Sequence, residues 1–406
     1  MGRSLACVAL VGGILVAMVP SVSSAAGKTV SDNTFNANFS TMKLLKPITA
    51  RGKGSIAVLL PDTVSSARWV HIDAPAFKRA FADAGLLNGQ YIVQNADGSD
   101  KTQFADAQSD IAKGAKVLIL TPLDSSTGAV IEAYAIARGV KVIDYDRLTQ
   151  GGARSYYVSF KNVTVGTLIG KGLLACITAW KVSAATVFVM KGAPTDNNAT
   201  LFAQGYDNVL NGAGFNATSG SANTVLQNIG TWDPPTALVD FEGAYAANPN
   251  INAVVAPNDE IAAPIILHLQ AAGVKPQVIA IVGKDATPVG IDNVISGYQC
   301  GTVYEPYWDE AQAATSLAIY LRTKLTVPAG LVNGSTVDPV STNSSFKNVP
   351  SVLLSPEWVT ASTVEATVIR DKVLTAKEVC LRSAPTVARD LSIPTYAADC
   401  KTYGIK

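Results

Sequence analysis

The sequence predicts an α/β protein of two similar Rossmann-like lobes, each built on a parallel sheet. Two observations carry this: short β-branched and apolar runs alternate with helical periodicities, and the whole pattern occurs twice. Strands separated by helices imply βαβ units, whose strands run parallel.

In the first half the strand-like runs are 56–60, 91–94, 117–120, 141–143 and 156–160. Between the first two, Phe77, Ala80, Phe81 and Ala84 recur at i, i+3, i+4 and i+7, one face of a helix. The second half restarts at 186–190 and continues through 225–229, 253–256 and 278–282. Val-Leu-Ile-Leu-Thr-Pro-Leu-Asp at 117–124 matches Ala-Val-Val-Ala-Pro-Asn-Asp at 253–259. Both lead through a helical stretch into Gly-Val-Lys, at 139–141 and 273–275, and then to an aspartate just past the next strand, Asp146 or Asp285.

Ahead of this pattern, Arg3 precedes an apolar stretch from Leu5 to Pro20, and small residues follow to Gly27. That layout predicts a secretory signal over residues 1–26, cleaved after Ala25 or Ala26, and so export to the periplasm or cell surface. Cys7 opens the apolar stretch instead of following it, which argues against lipidation. Without residues 1–26 the chain has 31 basic and 31 acidic side chains. A balanced chain with no basic run has no field for nucleic acid or an acidic membrane. Cys176, Cys300, Cys380 and Cys400 remain, none in CxxC spacing. An even count in an exported chain suggests two disulfides. Of three pairings, 380 with 400 and 176 with 300 is favoured because Cys380 and Cys400 share the tail; buried free thiols are the alternative.

Ligands of open parallel sheets bind beyond the carboxyl ends of the strands. The polar residues there are Asp62, Asp124, Asp146, Arg147, Asp196, Asn197, Asn198, Asn258, Asp259 and Asp285. Carboxylates that accept, Arg and Asn that donate, and rings that cover C–H faces are what a neutral carbohydrate needs, with Trp69 and Trp232 the leading rings. For any one such aspartate a helix N-cap is an equal reading, and for either tryptophan alone, core packing is the better one. His71 and His268 stand alone, and no HExxH, GxSxG, GxGxxG or GxxxxGK[ST] occurs. Neither metal nor organic cofactor is expected. A glycosidase using two cleft carboxylates is the remaining enzyme reading, since its geometry is not visible in a sequence.

Between Ser55 and Cys380 the chain resembles the ribose/galactose-type (type I) family of periplasmic solute-binding proteins of ATP-binding cassette transporters. The likeness rests on Arg68-Trp69, Tyr145-Asp146-Arg147, Ser159-Phe160-Lys161-Asn162, Gly192 to Asn198, Asn258-Asp259, Gly283-Lys284-Asp285, Thr302-Val303-Tyr304, Val349-Pro350-Ser351 and Leu354-Ser355-Pro356. The resemblance implies two lobes on a three-strand hinge, closing on one monosaccharide, xylose or a related sugar, which a monomer then delivers to a membrane permease. A sensing receptor would share the same cleft. By the same resemblance Arg68, Asp146, Arg147, Asn198, Asn258 and Asp285 bind hydroxyls, and Trp69 and Trp232 cover the ring. Glu305 departs from the family, whose Val-Tyr-Lys-Pro is Val303-Tyr304-Glu305-Pro306 here. It either bonds the sugar as an acceptor or pairs with Arg68 or Lys284. The implied crossings lie near Asn162, Glu305 and Lys347. They assign 55–161 plus 306–346 to one lobe and 162–305 plus 347–365 to the other. Residues 27–54 are left as an extension and 366–406 as a tail. The resemblance also sets Cys176 and Cys300 together at the distal edge of the second lobe.

Overall fold

Nearly every residue of the central apolar runs is buried, as parallel strands covered on both faces must be. The computed structural model describes residues 1–2, 30–216, 223–381 and 400–405. Residues 3–26 of the expected signal segment, with Cys7, lie outside the described residues, as does most of the tail beyond Leu381.

The strands are β1 Ser55–Leu60, β2 Tyr91–Asn95, β3 Ala115–Leu120, β4 Lys141–Tyr145, β5 Tyr156–Phe160, β6 Thr186–Val189, β7 Thr224–Gln227, β8 Ala253–Val255, β9 Ala280–Lys284, β10 Gly301–Tyr304, β11 Gly334–Val337, β12 Asn348–Leu354 and β13 Glu357–Val359. They form one sheet in the order β11-β12-β5-β4-β3-β1-β2 and another in the order β13-β10-β9-β8-β6-β7. Within these, β2-β1-β3-β4-β5 and β7-β6-β8-β9-β10 are the same parallel arrangement, so the repeat seen in the sequence is a repeat of topology. The edge strands β11 and β13 run antiparallel to their neighbours.

The helical face expected at Phe77, Ala80, Phe81 and Ala84 is the inward face of the helix Ala74–Asp83 and its C-cap. In the second lobe the helix Asn162–Ala179 is long and apolar enough to cross a membrane. It is instead a core helix, with Val165, Ile169 and Leu173 fully buried. It lies so close to the helix Asn197–Gly212 that a Cβ on Gly166 or Gly205 would overlap the facing backbone.

The chain passes between the sheets at Lys161, leaving β5 for the helix Asn162–Ala179, and at Glu305-Pro306, leaving β10 for the helix Tyr307–Thr323. The third crossing is at Ser355-Pro356, between β12 and β13, and not near Lys347. Residues 348–354 therefore belong to the first lobe, a correction to the sequence assignment. The cause is that Val349, Ser351, Val352 and Leu354 are buried as β12 pairs with β5, from Ser351 opposite Tyr157 to Leu354 opposite Phe160.

Neither terminal segment hangs free where described. Phe35, Phe39, Met42 and Leu45 of the extension are buried in the first lobe. Val364, Val368, Val379, Cys400 and Ile405 form a separate core with Ile291, Ile295 and Val359 of the second. Cys176 bonds Cys300 and Cys380 bonds Cys400, both within the second lobe and its tail. Closing a loop of 124 residues restricts the unfolded chain strongly; bridges of this kind contribute about 2–4 kcal/mol. Replacing Cys176 and Cys300 together by Ser should lower the unfolding free energy by about that amount in a denaturant titration. An unchanged midpoint would show that the bridge does not restrain the unfolded chain.

Candidate functional site

The site grows from two equivalent backbone positions. Asp146 follows β4 and Asp285 follows β9, and both take the left-handed conformation, with φ of 63° and 95°. A non-glycine residue there is held by its surroundings. Their amides bond Val158 O and Val303 O, each at 2.8 Å, extending the sheet one residue while the side chains turn into the cleft. The carbonyl of Asp146 accepts three bonds, from the Tyr157 hydroxyl at 2.7 Å, Ser159 Oγ at 2.9 Å and Asn198 Nδ2 at 2.8 Å.

On the floor lies Arg68, 1% exposed. Its Nε and Nη2 bond Asp73 at 2.9 Å each, Nη1 bonds Asp146 Oδ2 at 2.7 Å, and Nη2 also meets Glu310 Oε2 at 2.5 Å. The guanidinium lies over Tyr307, 3.8 Å from its centroid, and 4.5 Å from that of Trp69. Burial by itself lowers its pKa, but Asp73, Asp146 and Glu310 outweigh this and hold it above the ordinary arginine value.

Around that floor, Ser65, Ser66, Arg68, Trp69, Asp146 and Arg147 of the first lobe face Asp196, Asn198, Phe202, Trp232, Asn258, Lys284 and Asp285 of the second across a nearly closed cleft of about 20 Å³. The lobes touch through polar groups. Ser66 donates to Asp285 Oδ2 at 2.7 Å, Asn258 Nδ2 to Ser65 O at 2.7 Å, and Arg147 Nε stands 3.3 Å from Asp196 Oδ2. At the rim Gln150 Nε2 donates to Asn197 Oδ1 at 3.1 Å. The two indoles are anchored by their nitrogens, Trp69 to Ser65 Oγ at 3.0 Å and Trp232 to Asp196 Oδ2 at 3.0 Å. Trp232 lies against Gly192, where a Cβ would enter its ring.

Charge in the cleft is unevenly balanced. Burial would raise Asp285, yet Lys284 and Arg68 hold it below the usual carboxylate range. Asp196 is pushed up by burial, with Arg147 opposing. Lys284 would be lowered by burial, but Asp285 and Glu305 keep it above its ordinary value.

Eight of the nine sequence-predicted residues line one cleft: Arg68, Trp69, Asp146, Arg147, Asn198, Trp232, Asn258 and Asp285. Glu305 does not. It is buried behind the floor, its Oε2 2.9 Å from Lys284 Nζ and 3.8 Å from Arg68 Nη1. Burial pushes its carboxyl up to about 7, with Lys284 opposing. Of the wider strand-end set, Asp62 accepts from Val64 N and Ser65 N in its own turn, and Asp124 caps the helix Ser125–Ile136. Asp259 is fully buried, accepting from Gln299, Thr302 and Thr287. The cleft also holds Ser65, Ser66 and Phe202, which no strand-end pattern marks, and the floor depends on Asp73 and Glu310. Asp73 lies five residues beyond Arg68, across the π-helical turn Trp69–Asp73, so the i, i+3 and i, i+4 pairing of an α-helix does not flag it. Among the described residues no group of three or more His, Cys, Asp or Glu is placed to hold a metal ion.

The family model of the periplasmic binding protein domain matches residues 56–324. The D-xylose-binding periplasmic protein of Escherichia coli is 34% identical over 334 residues, covering 82% of this chain and 94% of that one. A multiple sugar-binding periplasmic protein of Azospirillum brasilense is 30% identical, covering 80% and 90%. Among solved structures, a carbohydrate transporter solute binding protein from Chloroflexus aurantiacus in complex with D-glucose superposes with a TM-score of 0.67 at 25% identity, covering 80% and 98%. With two parallel-sheet lobes around one polar cleft, this chain belongs to the periplasmic binding protein family, among the type I sugar-binding proteins of ATP-binding cassette transporters.

Proposed function

We propose that this chain is exported, binds a monosaccharide between its lobes as a monomer, and presents it to the permease of an ATP-binding cassette transporter. The observation that carries this reading is the convergence of donors, acceptors and two anchored indoles from both lobes on one cleft. A pyranose has an apolar face for each ring and hydroxyls that both donate and accept. Its hydroxyls replace the bonds the lobes now make to each other, and a ligand bridging both lobes favours closure over opening. The named relatives bind D-xylose, multiple sugars and D-glucose, which supports a pentopyranose or hexopyranose as ligand. The set Arg68, Asp146, Arg147, Asn198, Asn258 and Asp285 holds the hydroxyls, and Trp69 and Trp232 cover the faces. Glu305 acts from behind, by holding Lys284 and Arg68 in place.

A thermal-shift panel of aldopentoses and hexoses, followed by calorimetry, tests the reading, and absence of any shift in a folded sample refutes it. For the sugar that binds, Asp146→Asn removes a charged acceptor, which costs about 1.5–3 kcal/mol and so about 10- to 100-fold in Kd. Glu305→Gln should leave the ranking of the sugars as it is in the wild type. A changed ranking would make Glu305 a ligand contact after all.

The raised carboxyl of Glu305 also predicts a pH effect. A folded-state value above the unfolded one gives stability that is fully present below about 4.5 and is lost as pH rises through about 7. The unfolding free energy of Glu305→Gln should therefore fall less steeply than that of the wild type between these values, the difference staying within about 1.4 kcal/mol per pH unit. Parallel profiles for the two proteins would show that Glu305 does not titrate there.

A further inference from the structure

A second cavity, of about 450 Å³, shares no lining residue with the sugar cleft. It lies at the hinge, since Lys161, Pro306 and Ser355, one from each crossing, line it. Phe35 and Asn36 of the amino-terminal extension close one side, and Arg370 and Asp371 of the carboxy-terminal segment close another. The two terminal segments meet nearby, where Lys372 Nζ donates to Asn38 Oδ1 at 2.7 Å. The amino-terminal segment lies outside what the family resemblance accounted for.

Its chemistry differs from that of the cleft. Four carboxylates, Asp32, Asp309, Glu357 and Asp371, face two cations, Lys161 and Arg370. Arg370 is committed to Glu357 at 2.9 Å and Asp371 at 2.7 Å, and Lys161 donates to Ser355 Oγ at 3.0 Å. Asp309 receives only Gln312 Nε2, at 3.4 Å, and pairs with no cation among the described residues. Burial and the facing Asp371 push its carboxyl up to about 7, with Arg370 opposing. Beside it the wall carries the rings of Phe35, Trp308 and Tyr304. Among the described residues the buried Trp308 Nε1 has no hydrogen-bond partner, whereas the buried Tyr304 hydroxyl has the Asp371 carboxylate beside it. A carboxyl paired with no cation, a buried indole donor short of an acceptor and an apolar wall together describe what is missing.

We propose that the hinge cavity is a second ligand site for a small hydroxylated primary amine, its ammonium against Asp309 and its hydroxyl oxygen accepting from Trp308 Nε1. The walls come from both lobes, so hinge rotation changes their spacing and the occupant binds one hinge state better than the other. Occupancy then shifts sugar affinity, and sugar shifts amine affinity by the same factor. That coupling rests on the sugar reading of the cleft; the amine site does not.

The test titrates the full chain, without its signal segment, with 3-amino-1,2-propanediol, using glycerol as the neutral control, by calorimetry and thermal shift. Expected are saturable millimolar binding of the amine, weaker binding of glycerol, and a loss of about tenfold in amine affinity in Asp309→Asn. Trp308→Phe should weaken the amine as well, and serves if Asp309→Asn does not fold. No saturable binding, or equal binding by wild type and both hinge variants, overturns the site. A sugar Kd that is the same with and without saturating amine overturns the coupling. Amine binding in a protein that binds no sugar would count against the sugar reading and leave the amine site standing.

Discussion

A guanidinium buried to 1% exposure organises this molecule. Taking a charge out of water is tolerable only if fixed partners meet it. Arg68 draws those partners from separate parts of the chain: Asp73 from the turn entering the helix Ala74–Asp83, Asp146 from the end of β4, and Glu310 from the helix beyond the second crossing. Asp73 in turn accepts the Tyr145 hydroxyl, and Tyr307 lies under the guanidinium. Satisfying one cation thus fixes where the first lobe ends, where the hinge passes and where the cleft floor lies.

Above that floor the bonding is of a different kind. Ser66 with Asp285, Asn258 with Ser65 and Arg147 with Asp196 join one lobe to the other, and each is a pair a polyhydroxylated ligand can interrupt. A rigid charged base under an exchangeable rim gives selectivity and release separate locations. On the sugar reading proposed above, the base restricts which hydroxyl arrangement fits, and the rim sets how readily the lobes part. Trp69 and Trp232 belong to both layers, since their nitrogens bond Ser65 and Asp196 while the rings remain beside the cleft.

How much of this was readable in advance depends on whether a feature is local. The repeat was legible because βαβ units leave periodic apolar runs and a turn at each strand end, and Asp146 and Asp285 could be paired from sequence before either was seen in space. Asp62, Asp124 and Asp259 carry the same strand-end signature but serve local caps and buried networks. Their neighbours decide that, and neighbours across a sheet are not written along the chain. Glu305 was recognised as unusual, whereas its retreat behind the floor depends on Lys284 beside it and Arg68 across the hinge. The resemblance puts the third crossing near Lys347, but β12 pairs with β5 and the chain leaves the first lobe only at Ser355-Pro356, a pairing no local signal announces.

The misplaced crossing bears on how the molecule comes into being. The parallel core of the second lobe, β6 to β10, is one unbroken stretch of chain, with Cys176 and Cys300 bracketing most of it. The first lobe is interrupted: β1 to β5 precede that stretch, and the helix Tyr307–Thr323 with β11 and β12 follows it. A chain emerging amino end first therefore displays five strands of the first lobe while the helix that covers β3, β4 and β5 has yet to appear. The lobe written first is completed last, and until then its apolar face is what a chaperone would meet.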